Sequence, residues 1–264
     1  MCPFDREAAS LARAARAAPI GMRVAAISDI HGNLPALEAV LADIARRGAD
    51  LVVQLGDALS GPLWPRETAD LLLSRAFPCV RGNHDRALLG DPGSMGPADA
   101  HAWRQLDAAH LDWLRGWPPR LEVAPGVLLF HATPDDDDTY LLEDPSTGYA
   151  QLRTPQAILA TLEGIDARLM LCGHTHVPRV LALPDGRTIV NAGSVGLPAY
   201  TDDTGGFHRH ENGSPHARYA LVDLLPGRVD AAIVAVDYDR SAASRQAARN
   251  GRPDWAGWLA SGRA

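Results

Sequence analysis

Lysine is absent from the 264-residue sequence, so its 25 basic side chains other than histidine are all arginine. These arginines are scattered along the chain, and the 32 acidic residues outnumber them, which gives a formal net charge of -7. Binding to nucleic-acid phosphates usually requires a clustered basic surface. The charge pattern therefore argues against a stable nucleic-acid partner.

Cysteine and long hydrophobic runs are also scarce. The three cysteines, Cys2, Cys79 and Cys172, lie far apart and form no Cys-x-x-Cys pair. This pattern predicts neither a disulfide framework nor a thiolate metal site, and it is typical of a reducing compartment, so we expect a cytoplasmic protein. No apolar run approaches the roughly 18 residues that a membrane-spanning helix needs, and no membrane association is expected.

Length and composition predict one globular domain. The chain has 46% hydrophobic and 22% charged residues, within the range of ordinary globular proteins. Residues 22–264 contain no long linker and are predicted to form a single domain. Residues 1–21 mix arginines and acids with alanines and lack the continuous apolar core of a secretory signal. We expect them to be an N-terminal extension, either helical or disordered.

Hydrophobic periodicity predicts an α/β fold. The first half alternates short apolar runs with helical patterns, which is the βαβαβ order of a largely parallel sheet. The second half adds two hairpins, at 180–192 and 219–236, each joined by a turn that contains proline and glycine. We therefore predict two mixed β-sheets packed face to face with helices outside. In the first half, strands are predicted at 24–28, 51–55 and 77–81, and helices at 34–47, 66–76 and 98–114.

Side chains that can bind metal follow five of the apolar runs. Asp29 and His31 come directly after the first one, and residues i and i+2 of an extended segment point to the same face. In open α/β sheets, ligands gather outside the carboxyl ends of the strands, so these side chains are expected to share one cleft. Glycine at three of the transitions permits the close turns that this requires. The candidate ligands are Asp29, His31, Asp57, Asn83, His131, His174 and His176.

This donor set predicts two metal ions. Any single Asp-x-His pair could equally be a solvated strand end, but its repetition favours a metal centre. Seven oxygen and nitrogen donors are too many for one tetrahedral zinc and suit two ions that share a carboxylate, for which Asp57 is the natural bridge. The mixed donors favour Mn, Fe or Zn, with Ni or Co as further candidates, over calcium. Two ions about 3.5–4 Å apart can hold a hydroxide and clamp the oxygens of an in-line phosphoryl displacement.

The ordered motifs resemble those of the calcineurin-like metallophosphoesterase superfamily. The turn Asn191-Ala192-Gly193-Ser194-Val195-Gly196 and the small size of the chain resemble its compact bacterial phosphodiesterase branch. The resemblance covers about residues 23–196 and implies a four-layer αββα sandwich. It also implies that Asp57 contacts both ions. The motifs are Asp29-Ile30-His31, Gly56-Asp57, Gly82-Asn83-His84-Asp85, His131 and Gly173-His174-Thr175-His176. The implied ligand sets are Asp29, His31, Asp57 and His176 for one ion, and Asp57, Asn83, His131 and His174 for the other.

The resemblance further implies two catalytic residues that do not bind metal. His84 would either donate to the phosphoryl oxygens or protonate the leaving group. Asp85 is expected to orient that imidazole, as carboxylates often do. Ser/Thr phosphatases of the superfamily continue the Gly-Asp motif into an Asp-Arg-Gly that grips phosphate, whereas here Asp57 is followed by Ala58 and Leu59. This departure argues against protein phosphatase activity.

Together these observations predict a dinuclear phosphodiesterase that hydrolyses a small phosphorylated molecule by attack of a metal-bridging hydroxide. The alternatives among enzymes are a phosphomonoesterase and a nucleotide pyrophosphatase. An alternative of another class is a non-catalytic metal-binding scaffold, such as the retromer subunit of the same superfamily. His84, which that scaffold lacks, favours catalysis. The oligomeric state is not predicted.

Three further segments have competing interpretations. The run 135–138 of four aspartates is predicted to be a solvated turn, with a charged rim of the cleft as the alternative. Residues 200–216, which contain His208, His210 and His216, are predicted to be a flexible loop, with a lid over the site as the alternative. Trp255 and Trp258 are three residues apart, so we expect them to share a helix face that docks onto the body.

Overall fold

The computed structural model describes residues 21–264, so the extension predicted for residues 1–21 lies outside the described residues apart from Gly21. The helices of the described chain are too short or too polar to cross a membrane. The strands are β1 (Met22–Ile27), β2 (Leu51–Gln54), β3 (Arg120–Ala124), β4 (Val127–Phe130), β5 (Glu143–Asp144), β6 (Gln151–Leu152), β7 (Leu169–Cys172), β8 (Arg179–Ala182), β9 (Thr188–Asn191), β10 (Ala199–Asp202), β11 (His208–Glu211), β12 (Ala217–Leu225) and β13 (Arg228–Val236). The α-helices are α1 (Leu34–Arg47), α2 (Pro65–Leu73), α3 (Asn83–Leu88), α4 (Pro97–Trp103), α5 (Ala108–Arg115), α6 (Pro155–Thr161), α7 (Arg240–Arg249) and α8 (Pro253–Ser261).

Two mixed sheets carry the fold, as predicted. The first has the strand order β13-β12-β1-β2, in which β1 pairs parallel with β2 and antiparallel with β12. The second has the order β3-β4-β7-β9-β8, in which β7 pairs parallel with both β4 and β9. Both predicted hairpins are present, as β8–β9 and β12–β13. The remaining pairs, β5–β6 and β10–β11, are short separate hairpins.

Side-chain alternation along the strands produces the four predicted layers. In β1, Val24 and Ala26 face the second sheet, whereas Ala25 and Ile27 pack against helices. In β7, Leu169 and Leu171 belong to the cluster between the sheets, while the intervening residues pack against α6 on the outer face. Both strands are therefore buried on both faces. The result is an αββα sandwich with its largest apolar layer between the sheets.

Two predicted elements differ in the structure. The strand at 77–81 is reduced to a single parallel bridge between Gln54 and Cys79. Pro78 cannot donate to a ladder, and Arg81 N donates instead to the carbonyl of Pro118 (2.9 Å). The single helix predicted at 98–114 is two helices, α4 and α5. Asp107 separates them because its side chain caps α5, accepting from Ala109 N (3.1 Å) and His110 N (3.2 Å).

The C-terminal helices dock onto the body as predicted. Helices α7 and α8 share a buried cluster that includes Leu63, Leu197 and Trp255. Leu63 lies in the loop between β2 and α2, and Leu197 lies in the segment after β9. The cluster therefore joins the end of the chain to loops that leave both sheets.

Truncating a side chain between the two sheets tests this layer order. Leu224 is fully buried on β12, whereas Leu152 on β6 is 47% exposed. We expect Leu224→Ala to lower the free energy of unfolding by about 2–5 kcal/mol because it leaves a cavity. The control Leu152→Ala is expected to stay within about 0.5 kcal/mol of the parent. Urea unfolding at one fixed metal concentration measures both, and equal effects would contradict the assignment of the inter-sheet layer.

Candidate metal centre

Most of the candidate ligands lie in tight turns just beyond a strand, and not in extended backbone. Asp29, His31, Asp57, His174 and His176 have φ between 51° and 70°, in the left-handed region. Non-glycine residues there carry strain of roughly 1–3 kcal/mol each, and such strain clusters at functional sites. The i, i+2 argument from an extended strand is therefore wrong for Asp29 and His31. Their side chains converge because a left-handed turn re-aims them.

Backbone hydrogen bonds between loops hold these turns. Asp29 N donates to the carbonyl of Gly56 (3.0 Å), and His31 N donates to that of Asp57 (3.1 Å). The loop after β9 closes the other side, where Gly196 N donates to the carbonyl of Asp29 (3.0 Å). Three separate stretches of chain are thus joined through the residues around Asp29.

Glycines allow the close approach, as predicted. A Cβ atom at Gly82 would overlap the carboxylate of Asp57. One at Gly173 would overlap the Ser28 hydroxyl and the carboxylate of Asp29. Any larger residue at either position would push the ligand loops apart.

The structure brings all seven candidate ligands together in two adjacent groups. Ligand atoms of the residues in each group lie within 4.8 Å of one another. Asn83 joins the second group, since its Oδ1 is 3.1 Å from His131 Nε2. The groups touch where His131 Nε2 lies 3.9 Å from Asp29 Oδ1. The first group is Asp29, His31 and His176, and the second is Asp57, His131 and His174.

Each of the four histidines has one ring nitrogen held by a backbone carbonyl. A carbonyl can only accept, so that nitrogen carries the proton and the opposite nitrogen faces the cluster. Such contacts fix the tautomer and orientation of metal-binding histidines. The donors are His31 Nδ1 to Ser60 (2.7 Å), His131 Nδ1 to Leu55 (2.7 Å), His176 Nδ1 to Leu197 (2.7 Å) and His174 Nε2 to Asp138 (2.8 Å).

The atoms turned inward fit a cation. His31 Nε2 and His176 Nε2 are 3.1 Å apart, and when both rings are neutral these atoms are two facing lone pairs. Asp29 Oδ1 lies 3.3 Å from His176 Nε2 and is buried without a hydrogen-bond partner among the described residues. Buried acceptors without donors are costly unless a proton or a metal ion lies between them. The first group therefore has the chemistry of a divalent metal site.

The pKa values of the histidines respond to burial and to these neighbours. Burial, together with the positive charge of a neighbouring histidine, lowers the pKa of His31 and of His174 to about 4. Burial also disfavours a charged His131, but Asp57 and Asp29 outweigh it and raise its pKa to about 10. A metal ion bound by this ring would compete with a proton, because only the neutral imidazole is a metal ligand.

Asp85 does not orient His84, which corrects the prediction. Its carboxylate accepts from three backbone N–H groups, those of Asp57 (2.7 Å), Gly82 (3.0 Å) and Ala58 (3.1 Å). Asp85 is the third residue of α3, so its side chain folds back over the start of the helix. There it reaches the loop between β2 and α2. Asp85 therefore fixes the position of Asp57.

The partner of His84 is Asp99, a residue that the sequence did not indicate. Asp99 Oδ1 lies 2.8 Å from His84 Nδ1 and also accepts from the hydroxyl of Ser60 (2.6 Å). Burial lowers the pKa of His84, but the negative charges of Asp57 and Asp99 outweigh it and raise that pKa to about 9. Asp99 lies in the first turn of α4, where an acid is common and carries no catalytic signature.

Residues 200–216 are not the predicted flexible loop. They contain the β10–β11 hairpin, and His208 and His210 are buried on β11. Tyr200 stacks on the ring of His210 (4.7 Å between centroids) and contacts that of ligand His176 (4.7 Å). The alternating His-Arg-His pattern at 208–210 is a strand signal that the neighbouring glycines obscured. The hairpin therefore packs behind the candidate ligands.

The aspartate run 135–138 is a paired turn with one end at the site. Asp135 pairs with Arg120, and Asp137 pairs with Arg86 (2.8 Å each). Of these four aspartates, only Asp138 lines the cavity that opens over the two groups of candidate ligands. The solvated-turn interpretation thus describes most of the run.

A cavity of about 310 Å³ opens over the ligands. His84 and Asp99 form part of one wall, beside His31 and Asp57. Arg252 and two tryptophans of α8, Trp255 and Trp258, form another. The cavity has the size of a small-molecule site.

Comparison with known proteins places the chain in a family. A family model described as calcineurin-like phosphoesterase matches residues 22–178. The chain is similar to an uncharacterized protein of Methanocaldococcus jannaschii, with 28% identity over 246 residues that cover 89% of this chain and 95% of the relative. A crystal structure of a metallophosphoesterase from Sphaerobacter thermophilus is also similar, with a TM-score of 0.70, 28% identity, and coverage of 92% of this chain and 99% of that one.

A crystal structure of a hypothetical protein from Pyrococcus horikoshii shares the fold, with a TM-score of 0.71 at 20% identity over 91% of this chain and 98% of that one. The family match at 22–178 includes both ligand groups and His84. The chain therefore belongs to the calcineurin-like phosphoesterase family and is a metal-dependent phosphoric ester hydrolase.

Proposed function

We propose that this protein is a dinuclear phosphodiesterase that hydrolyses a small phosphorylated molecule. The observation that carries the proposal is the convergence of two groups of buried acceptor atoms beneath a cavity that His84 also lines. Asp57 is the proposed shared ligand. The proposed sets are Asp29, His31, Asp57 and His176 for one ion, and Asp57, Asn83, His131 and His174 for the other. When bound, such a pair of ions supplies a nucleophile at neutral pH and neutralises charge on the phosphoryl oxygens.

His84 is the proposed proton donor. Asp99 engages its Nδ1, so Nε2 is the atom available to a ligand in the cavity. There it donates to the ester oxygen of the leaving group or to a phosphoryl oxygen, and general acid help of this kind is typically worth about 10² to 10⁴ in rate. Asp99 acts through His84 and is a positioning residue.

Asp85 is proposed to act through Asp57. Its three backbone hydrogen bonds fix the turn that presents the shared ligand. The Asp57 carboxylate has a further constraint, since its Oδ1 accepts from the backbone N–H of His84 (3.0 Å). One carboxylate thereby connects the metal ligands to the proposed proton donor.

The cavity favours a compact substrate. Its volume of about 310 Å³ suits a small ester rather than a folded protein. The N and O donors without thiolate favour Mn, Fe or Zn, and we propose Mn for reconstitution. The cytoplasmic location expected from the cysteine pattern remains a proposal.

Replacing Asp57 tests the shared ligand. We expect Asp57→Asn to lose both ions and all measurable activity, because a neutral amide cannot bridge two cations. The loss of affinity is expected to exceed the roughly 10- to 100-fold effect of removing a residue outside the ligand shell. Elemental analysis after dialysis reports the ions per chain. Asp112→Asn, at an exposed carboxylate (71% accessible), is the control that retains both ions. A variant at Asp57 that still held two ions would refute the bridge.

Removing His84 separates catalysis from metal binding. We expect His84→Ala to retain two ions per chain and to have a kcat about 10²- to 10⁴-fold lower than that of the wild type. The loss should be larger for an alkyl leaving group than for p-nitrophenolate, which needs little protonation, and added imidazole should restore part of the rate. Loss of metal from this variant would contradict the assigned role. An equal loss for both leaving groups would identify His84 as a donor to the phosphoryl oxygens.

A substrate panel tests the reaction class. We expect Mn-loaded protein to hydrolyse bis(p-nitrophenyl) phosphate faster than p-nitrophenyl phosphate. The reverse order would favour a phosphomonoesterase, and activity confined to dinucleoside polyphosphates would favour a pyrophosphatase. Metal-loaded protein that hydrolyses none of these substrates would support the alternative of a non-catalytic scaffold.

A further inference from the structure

Helix α8 builds an aromatic wall that starts at a metal ligand and leads away from it. The Trp255 ring meets the His31 ring edge-on, with 5.8 Å between centroids. The Trp258 ring follows 6.4 Å from that of Trp255, at an angle of 40°. Both tryptophans line the cavity. Two successive ring contacts therefore connect the candidate ligand His31 to Trp258.

The two tryptophans differ in what holds them. Trp255 is buried (5% accessible), and the Arg252 guanidinium lies 5.4 Å from its ring centroid. Asp254 fixes that guanidinium through a 2.6 Å contact to Nη2. Trp255 is thus packed as part of the protein. Trp258 is half-buried and presents aromatic surface to the cavity.

The side chains packed with the two tryptophans are suited to a flat, mostly apolar group. Ala98 of α4, Leu197 after β9 and Tyr200 of β10 belong to the same apolar cluster as Trp255 and Trp258. Polar groups on β10 also line the cavity. A planar ring with polar edges matches a surface of this mixed kind. The lining residues concerned are Pro97, Ala98, Leu197, Tyr200, Thr201 and Asp202.

We propose that Trp258 stacks on a nucleobase carried by the non-leaving arm of the phosphodiester. The inference rests on the proposed phosphodiesterase function and names its substrate class, a nucleoside phosphodiester. In this arrangement the phosphodiester lies at the candidate ligands, the base lies at Trp258, and the sugar lies between them. Stacking of a base on an aromatic side chain corresponds to about 5- to 160-fold in affinity.

Two substrates with the same leaving group test the proposal. Thymidine 5′-(p-nitrophenyl phosphate) and ethyl p-nitrophenyl phosphate differ only in the arm that would reach Trp258. We expect Mn-loaded wild-type protein to prefer the thymidine ester in kcat/KM, and Trp258→Leu to reduce that preference about 5- to 160-fold, mainly through KM. Trp258→Phe, which keeps a ring, should retain most of the preference. Tyr149→Leu, at an exposed aromatic residue (54% accessible) outside the cavity lining, should leave the preference unchanged.

A second measurement needs no variant. Thymidine 5′-monophosphate and deoxyribose 5-phosphate share the phosphate and the sugar, and only the first carries a base. We expect thymidine 5′-monophosphate to inhibit hydrolysis of the ethyl ester with an inhibition constant at least about fivefold lower.

The outcomes separate the two proposals. A wild-type protein that hydrolyses the ethyl ester without preferring the thymidine ester, or a preference that survives Trp258→Leu, would overturn the role of Trp258 and leave the phosphodiesterase intact. Equal inhibition by the two monophosphates would also overturn it. Hydrolysis of neither ester by metal-loaded protein would overturn the phosphodiesterase itself.

Discussion

The structure depends on buried acceptor atoms that face one another. Asp29 Oδ1, His31 Nε2 and His176 Nε2 meet in the interior, where a pair of lone pairs repels unless a positive charge lies between them. The surrounding fold keeps them together at a cost. Five ligand residues have left-handed backbone, and loops from both sheets are joined by hydrogen bonds next to the ligands. A bound cation converts this repulsion into attraction, so the unfavourable arrangement is itself the binding device.

The carbonyls behind the histidines extend this constraint through the molecule. Leu55 and Ser60 belong to the loop after β2 in the first sheet, whereas Leu197 follows β9 in the second. Each carbonyl accepts from the ring nitrogen that points away from the candidate metal positions, so the histidines are oriented by loops of both sheets. The Asp85 carboxylate fixes Asp57 by accepting a hydrogen bond from its backbone N–H. The geometry of the site is therefore a property of both sheets and not of one loop.

The convergence of the candidate ligands could be predicted from the sequence because strand ends are local signals. A short apolar run followed by Asp57 or His131 identifies both the strand and the edge at which the side chain emerges. Contacts that depend on how helices pack could not be read in this way. Asp99 meets His84 only because α4 folds over α3, and Asp85 turns away only because it lies at the start of a helix. The apolar run at 77–81 predicts a full strand, but Pro78 lacks the N–H donor that a longer ladder with β2 requires.

The order of strands in the first sheet has a consequence for biosynthesis. The central strand β1 is made first, yet its antiparallel neighbour β12 begins only at Ala217, and Trp255 reaches His31 from the last helix. Contacts of such large sequence separation form late and slow the folding of a domain. A nascent chain on the ribosome therefore cannot complete the sheet or enclose the site until nearly all of it has emerged.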